Sequence, residues 1–317
     1  MKILAVDDDP VFQDILIETL RTLGQENITK ANSATQALAI LQSHDVGFDC
    51  ILLDIQMPGM DGVSLCQVVR GLPAYRRVPI VMVTSQSARR YIDDAFSAGA
   101  TDYVTKPLDR LDLKARMGMV ARLVDERRQL ALMARKVGKR NDAFEMQVDF
   151  DTSILIPGFD RSIEFLALEN YLLTLGMKGV HSLSALGIHI ENAGLIFGKT
   201  SRSTFVDMLG DVGSVIADVA KTDQMQFAYA GNGNFVGVAS QDLSMSAEDM
   251  ATMINIGLMD FESFYAADRL PTPKVKVGSL VKSSFFSFGK PTRILERAIM
   301  LAQQGPEKKT GFWQSAA

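Results

Sequence analysis

Short apolar runs that end in polar residues alternate with amphipathic helical segments over the first part of the chain. The runs occupy residues 2–6, 50–53, 80–83 and 103–105, and the helical segments occupy residues 11–23, 35–42, 63–70 and 88–97. This alternation is typical of a parallel sheet with crossover helices. Polar groups at the carboxyl ends of such strands converge on one edge, so the pattern predicts a doubly wound α/β domain with a polar pocket there.

The residues that follow these runs are chemically complementary. In chain order they are Asp7, Asp8 and Asp9, then Asp54 at the start of the run Asp-Ile-Gln-Met-Pro-Gly-Met-Asp-Gly, then Thr84, and last Lys106 before Pro107. Taken singly, an Asp pair is usually a solvated turn or a helix cap, and Lys-Pro is usually a loop. Their joint order and strand context favour one shared site.

This order of motifs resembles the receiver domain of two-component response regulators over residues 1 to about 120. The resemblance implies a flavodoxin-like, doubly wound parallel (βα)5 fold over residues 1–121. It also implies that Asp54 is the phosphoacceptor. Transfer of a phosphoryl group to a carboxylate needs a free carboxylate oxygen, a divalent cation and fixed positive donors.

Each of these requirements has a candidate residue. Magnesium (Mg2+) prefers octahedral oxygen ligands and retains several waters. We expect Asp8 and Asp54 as direct ligands, Asp7 acting mainly through water, and the backbone carbonyl of Gln56 completing the set. Asp9 is read as solvent-facing or as a helix cap. Clustered carboxylates repel one another, and a bound cation relieves that repulsion.

Lys106 and Thr84 are the expected donors to the phosphoryl oxygens. By the resemblance, Thr84 also moves toward the phosphoryl group while the ring of Tyr103 turns inward behind it, so the two residues form a switch. The alternative for Tyr103 is simple core packing. The resemblance also implies a cis peptide bond before Pro107.

Composition limits the class of protein. A length of 317 residues predicts two domains, and a hydrophobic content of 47% is enough for packed cores. The two cysteines, Cys50 and Cys66, fit small core residues in a reducing compartment better than a disulfide. The chain shows neither a signal-peptide pattern nor an apolar run of 18 residues. We therefore expect a cytoplasmic protein without a membrane segment.

Residues 110–140 contain ten basic and three acidic residues and predict one long helix, and residues 122–145 are the expected helical linker. Apolar residues approximate a heptad seam, which Arg127 interrupts. The seam residues are Leu113, Met117, Val120, Val124, Ala131 and Ala134. A homodimer through this helix and a solvated linker helix both remain open. Nucleic-acid binding ranks third, because no helix-turn-helix pattern accompanies the basic residues.

Residues 146–317 show a second α/β pattern. Helical segments are predicted over 161–175, 204–220, 247–261 and 291–304, and strands over 182–190, 226–230, 235–239 and 274–278. The Asn-Gly pair between the middle two strands is a strong hairpin signal. This order resembles the GGDEF domain of diguanylate cyclases, whose motif position holds Gly231-Asn232-Gly233-Asn234-Phe235 here. The resemblance implies an α+β fold with a mainly antiparallel sheet.

The departures from that family pattern concern the metal ligands. The acidic pair of the motif is replaced by Gly233 and Asn234, and His189 stands where the family has the first carboxylate of its D-x-D. Joining two nucleotides needs two cations held by carboxylates, and neither glycine nor an amide replaces one. His189 and Glu191 are too few for a stable metal site, and a hydrogen-bonded histidine is the favoured reading. We predict a catalytically inactive GGDEF-like domain.

Two functional hypotheses result. The first is a response regulator, phosphorylated by a sensor histidine kinase or a phosphotransfer protein, whose inactive second domain serves as a protein-interaction or dimerisation module for an unknown downstream partner. The second is an active or GTP-binding diguanylate cyclase that makes cyclic di-GMP through unconventional ligands.

Overall fold

The protein forms two compact units in a computed structural model. The described residues are 1–43, 47–136, 148–156, 159, 162–220, 225–240, 243–267, 269–282 and 290–305. The first unit comprises Met1–Gln147 together with Leu166–Leu175, and the second comprises Val148–Phe165 and Gly176–Ala317. This division places a ten-residue helical segment from beyond the boundary expected at residue 146 in the first unit, and the expected domain bounds stay a prediction.

The first unit alternates strands and helices along the chain. They are β1 (Lys2–Val6), α1 (Pro10–Thr22), β2 (Asn27–Ala31), α2 (Ala34–Gln42), β3 (Cys50–Leu53), α3 (Gly62–Gly71), a 3-10 turn (Pro73–Tyr75), β4 (Ile80–Thr84), α4 (Arg89–Ser97), β5 (Asp102–Thr105) and α5 (Arg110–Lys136). The sheet has the order β2-β1-β3-β4-β5, with every pair parallel. This confirms the flavodoxin-like expectation. The peptide bond between Lys106 and Pro107 is cis, as expected.

Helix α5 covers one face of this sheet. Leu113, Met117, Val120 and Val124 are buried in a core that also contains residues of β1, β3, β4 and β5. These four seam residues are therefore not available to pair with a second copy of the chain. Their spacing reflects an amphipathic helix packed on its own sheet. Arg127, which interrupts the seam, donates from its guanidinium to the backbone carbonyl of Arg77.

The second unit is built around an antiparallel sheet. Its elements are β6 (Ser184–Ile190), α7 (Ala193–Lys199), α8 (Arg202–Val219), β7 (Met225–Gly231), β8 (Asn234–Ala239), α9 (Ala247–Met259), α10 (Glu262–Ala267), β9 (Val275–Val277), β10 (Val281–Lys282) and α11 (Arg293–Gln304), preceded by α6 (Phe165–Val180). The strand order is β10-β6-β8-β7, with β9 also pairing with β6. The mainly antiparallel sheet and the β7–β8 hairpin match the prediction.

Helix α6 is interrupted at Gly176, whose backbone has φ 61° and ψ −177°. This conformation is essentially restricted to glycine. The kink coincides with the point where the chain passes from the first unit to the second. Among the described residues, no helix is both long and apolar enough to cross a membrane.

Candidate functional site

Three carboxylates and one ammonium group meet at the carboxyl edge of the parallel sheet. The carboxylate oxygens of Asp7, Asp8 and Asp54 lie within 4.8 Å of one another. Asp7 and Asp54 are buried and Asp8 is exposed. The backbone N–H of Asp54 donates to the carbonyl of Val6 at 2.9 Å, which ties the ends of β1 and β3 together. The predicted pocket is thus present in the fold.

Lys106 holds this cluster together electrostatically. Its Nζ lies 2.8 Å from Oδ2 of Asp7 and 3.3 Å from Oδ1 of Asp54. The ammonium group also lies 3.8 Å from the centroid of the Phe12 ring, at the distance of a cation–π contact. The backbone N–H of Lys106 donates to the carbonyl of Thr84 at 2.7 Å, which fixes the start of its loop beside β4.

Asp54 is energetically strained as an anion. Burial raises the pKa of its carboxyl group, the attraction of Lys106 lowers it, and the neighbouring charges of Asp7 and Asp8 raise it again, with a net upward shift. One ammonium group therefore does not fully compensate three carboxylates. A site of this kind gains from an added cation.

The loop after Asp54 approaches its own backbone closely. The N–H of Gly62 donates to the carbonyl of Ile55 at 2.8 Å, and a Cβ atom at Gly62 would lie 2.0 Å from the carbonyl oxygen of Asp54. Only glycine fits there. Asp61 caps α3 by accepting a hydrogen bond from the N–H of Ser64 at 2.8 Å. The final Asp-Gly of the motif thus shapes the loop and stays outside the carboxylate cluster.

The two switch candidates converge on Gln86. The hydroxyl oxygen of Thr84 accepts a hydrogen bond from the Gln86 N–H at 3.3 Å, and the hydroxyl of Tyr103 donates to the Gln86 carbonyl. Thr84 and Tyr103 are both buried. Burial raises the pKa of the Tyr103 phenol, with smaller contributions from Asp54 and Tyr91. The ring of Tyr103 therefore lies inward, and its hydroxyl remains a donor.

The side chains of Asp9 and Gln56, which lie near the carboxylate cluster, make their hydrogen bonds outside it. Asp9 caps α1 by accepting from the N–H groups of Val11 and Phe12 at 2.9 and 3.2 Å, one of the two alternatives expected for it. The exposed side chain of Gln56 accepts from the hydroxyl of Ser85 at 3.2 Å. The proposed ligand role of the Gln56 carbonyl stays a prediction.

Sequence reasoning missed three supporting residues. Phe12 lies under the Lys106 ammonium group, and the buried Gln13 donates to the carbonyl of Ala31 at 2.9 Å, which joins α1 to the end of β2. Arg116 on α5 contacts the buried carboxylate of Asp102. Phe12 and Gln13 lie on the buried side of α1, but the apolar periodicity of the helix does not show which residues they contact.

The hairpin of the second unit has no free carboxylate at its motif positions. Asn234 is buried, donates to the carbonyls of Gly231 and Asn232 at 2.9 and 3.2 Å, and accepts from Nδ1 of His189 at 2.9 Å. The expectation of a hydrogen-bonded histidine is confirmed. Glu191 pairs with Nζ of Lys276 at 2.7 Å. Within the described residues, only the cluster around Asp54 brings three His, Cys, Asp or Glu ligands together.

Comparison with known proteins identifies the first unit. A family model described as response regulator receiver domain matches residues 3–118. The chemotaxis protein CheY of Pseudomonas aeruginosa is 38% identical over 117 residues, which are 37% of this chain and 93% of CheY. The chemotaxis protein CheY-3 of Vibrio cholerae is 34% identical over 120 residues, 38% of this chain and 91% of that protein.

A third relative extends slightly further along the chain. The response regulator PleD of Caulobacter vibrioides is 34% identical over 141 residues, which are 43% of this chain and 30% of PleD. Through its N-terminal unit, the chain belongs to the response regulator receiver family of two-component signalling proteins.

Proposed function

We propose that the protein is a response regulator that is phosphorylated on Asp54, with Mg2+, by a sensor histidine kinase or a phosphotransfer protein. One observation carries this proposal: a buried carboxylate with a raised pKa lies beside two further carboxylates and 3.3 Å from the Lys106 ammonium group. An incompletely compensated anion next to a fixed positive donor suits phosphoryl transfer.

The donor set fits a hard divalent cation. Asp7, Asp8 and Asp54 offer carboxylate oxygens, and Asp8 is open to solvent, which leaves room for retained waters. When bound, Mg2+ would supply positive charge to neutralise the transferred phosphoryl group. Asp8 and Asp54 are the proposed direct ligands, with Asp7 acting mainly through water and the Gln56 carbonyl as a further ligand.

The remaining site residues position and stabilise the phosphoryl group. Lys106 sits over the Phe12 ring and bridges Asp7 and Asp54, so its ammonium group is already aimed at the acceptor oxygen. Thr84 would turn its hydroxyl from Gln86 to a phosphoryl oxygen, and Tyr103, whose ring already lies inward, would respond through its bond to the same Gln86 as the second part of the switch. Preorganised donors of this kind need little rearrangement during transfer.

The test is phosphorylation by a small phosphodonor. Intact-mass measurement of the full chain with Mg2+ and a phosphodonor should show one phosphoryl adduct, absent in Asp54→Asn. Asp9→Asn is a matched control, because asparagine caps α1 as well as aspartate does and Asp9 lies outside the carboxylate cluster. A wild-type chain that gains no adduct, or an adduct that persists in Asp54→Asn, would refute the proposal.

For the second unit we propose a GGDEF-like domain without catalysis that acts as an interaction or dimerisation module. Gly233 has φ +72°, and a Cβ atom there would lie 2.6 Å from Cβ of Ala193. Asn234 uses its amide group to hold the hairpin together. Gly233 therefore has no room for a side chain, and Asn234 carries no charge. Both facts support loss of the two-metal chemistry.

The alternative is a cyclase that binds or converts GTP through His189 and Glu191. It requires both residues to leave their present partners, Asn234 and Lys276. It predicts GTP turnover with Mg2+ or Mn2+ that is lost in His189→Ala and in Glu191→Ala. Absence of cyclic di-GMP from concentrated wild-type protein would eliminate it and retain the inactive module.

A downstream partner can be sought directly. Proteins captured by the full chain with a bound beryllofluoride phosphoryl mimic, and not by Asp54→Asn under the same conditions, are candidates for the readout of the second unit. An identical set of proteins in both captures would argue against phosphorylation-controlled interaction.

A further inference from the structure

The segment Leu166–Leu175 belongs to the first unit, where it contacts helix α4 and Thr101, the residue directly before β5. The side-chain amide of Asn170 donates to the backbone carbonyl of Thr101 at 2.9 Å, and Asn170 is only 4% exposed. A buried amide that satisfies a buried carbonyl is specific, because removing it leaves that acceptor without its partner.

Tyr171 contacts α4 through both its hydroxyl group and its ring. Its hydroxyl donates to Oδ1 of Asp93 at 2.7 Å, and its ring meets the ring of Phe96 edge-on with the centroids 5.5 Å apart. Burial and the neighbouring Asp93 raise the pKa of this phenol although Arg89 lowers it, so the hydroxyl remains a hydrogen-bond donor. Tyr171 thus binds α4 through both polar and aromatic contacts.

The burial pattern of the segment is that of a docked amphipathic helix. Ala167, Leu168, Tyr171 and Leu172 are at most 4% exposed, whereas Leu173 is 51% exposed. The buried positions follow the i, i+3, i+4 spacing of one helical face. The face that carries Tyr171 is therefore the docked face, and Leu173 points to solvent.

The surface beneath the segment is connected to the proposed phosphorylation site. Thr84 and Tyr103 both hold Gln86, which precedes α4 by three residues. Thr101, the partner of Asn170, precedes Tyr103 by two residues at the start of β5. Helix α4 and Thr101, which the segment contacts, are thus each joined along the chain to residues expected to respond to Asp54.

We propose that Leu166–Leu175 is a built-in ligand of the surface formed by α4 and Thr101, and that modification of Asp54 weakens its docking. The proposal rests on the proposed function of Asp54. The bond from the Gln86 N–H to Thr84 is already long at 3.3 Å, and turning the Thr84 hydroxyl toward a phosphoryl group breaks it. The loop into α4 then shifts, and with it Asp93 and Phe96. By reciprocity, a docked segment disfavours the modified state to the same extent.

Hydrogen exchange on the full chain tests the first half of this coupling. With Mg2+ and beryllofluoride, amides of Leu166–Leu175 should exchange about tenfold faster, the factor expected for a coupling of ordinary size. Fluorine NMR reports whether the mimic is bound, and helix α9 in the second unit serves as an internal reference. If the mimic binds and exchange of the segment is unchanged or slower, the inference fails while the proposed function stands. If the mimic does not bind, both fail.

The reciprocal test measures affinity for the mimic. Tyr171→Phe keeps the ring and removes the bond to Asp93, so the affinity for beryllofluoride with Mg2+ should rise about fivefold, as loss of one hydrogen bond predicts. Leu173→Ala changes the exposed side of the same segment and should leave that affinity unchanged. An unchanged or weaker affinity in Tyr171→Phe would overturn the coupling.

Discussion

At the scale of single residues, the proposed phosphoacceptor destabilises the folded protein while it is ionised. The pKa of Asp54 is raised in the folded state, chiefly by burial, so folding favours the protonated form. Below the ordinary pKa of aspartate, about 3.9, this cost is absent. It grows as the pH rises from there through the folded pKa, because the unfolded chain releases this proton first while the native state still holds it.

Asp54→Asn should therefore stabilise the metal-free protein at neutral pH. We expect an increase in the free energy of unfolding of about 1 kcal/mol, the usual scale of a single substitution, because the amide removes one of three clustered charges and can still accept from Lys106. Urea unfolding in the presence of a chelator measures it. The advantage should disappear near pH 4 and also on addition of Mg2+, which stabilises the wild type more.

Asp9→Asn serves as the comparison, since it removes a nearby charge that caps α1 and lies outside the cluster. It should show no response to Mg2+ beyond that of the wild type. A metal-free Asp54→Asn protein less stable than the wild type at neutral pH would contradict the strain assigned to Asp54.

Gly62→Ala should damage the site through the backbone. The added Cβ would fall 2.0 Å from the Asp54 carbonyl oxygen, so the loop must shift, and we expect a loss of about 2 kcal/mol in unfolding free energy together with slower phosphorylation. Gly71→Ala in the same helix meets nothing within 4 Å and should be neutral or slightly stabilising. Equal stability and equal phosphorylation rates in the two variants would disprove the steric account.

At the scale of elements, periodicity identified helices and strands better than it identified their partners. The apolar spacing of α5 predicted a long helix, yet the same spacing fits a coiled-coil seam and a helix packed on its own sheet, and Leu113 and Val120 take the second role. Strand β2 was missed because its exposed Asn27 and Lys30 give it no apolar run. The residue pattern shows which face of a helix is apolar, whereas tertiary contacts decide which element packs against that face.

The contact between α5 and β5 gives a pH-dependent prediction. Burial raises the pKa of Asp102 to about 6, even though Arg116 and the Tyr103 N–H lower it. Arg116→Met leaves this carboxyl group without its counter-charge, so its pKa should rise further. We expect a loss of about 3 kcal/mol at pH 8, as for a broken buried ion pair, and a smaller loss at pH 5, where the carboxyl group is protonated. Urea unfolding at the two pH values measures the difference.

Arg128→Met is the matched control on the same helix. Arg128 pairs with Asp49 at 2.6 Å, but its side chain is 54% exposed, and such surface pairs contribute about 0–1 kcal/mol. Its loss should be small and nearly independent of pH. If the two variants behaved alike, the buried pair would have no special role in joining α5 to β5.

At the scale of the whole molecule, the site that could be predicted from sequence is the one whose residues follow successive parallel strands along the chain. Asp7, Asp54, Thr84 and Lys106 could be assembled from sequence because parallel strands place their carboxyl ends together. The position of Leu166–Leu175 could not, since its pattern predicts a helix and an apolar face without specifying α4 and Thr101 as the surface it meets. The hairpin motif likewise predicted that its two carboxylates are lost. It did not predict that the Asn234 amide donates to backbone carbonyls of the hairpin.

The division into two units predicts separable unfolding. The core of the first unit includes Leu52 and that of the second includes Phe227, both fully buried. Domains with their own cores can unfold as separate cooperative units. Calorimetry should show two transitions. Phe227→Ala should lower one and Leu52→Ala the other, each by about 3–4 kcal/mol of unfolding free energy.

Mg2+ with beryllofluoride then assigns the transitions, because a ligand that binds only the native state raises the transition of the unit that contains its site. The transition lowered by Leu52→Ala should rise with the mimic, and this rise should vanish in Asp54→Asn. The transition lowered by Phe227→Ala should not move. One transition that responds to both core substitutions would show that the chain unfolds as a single unit, in which case a signal at Asp54 would reach the second unit through global stability.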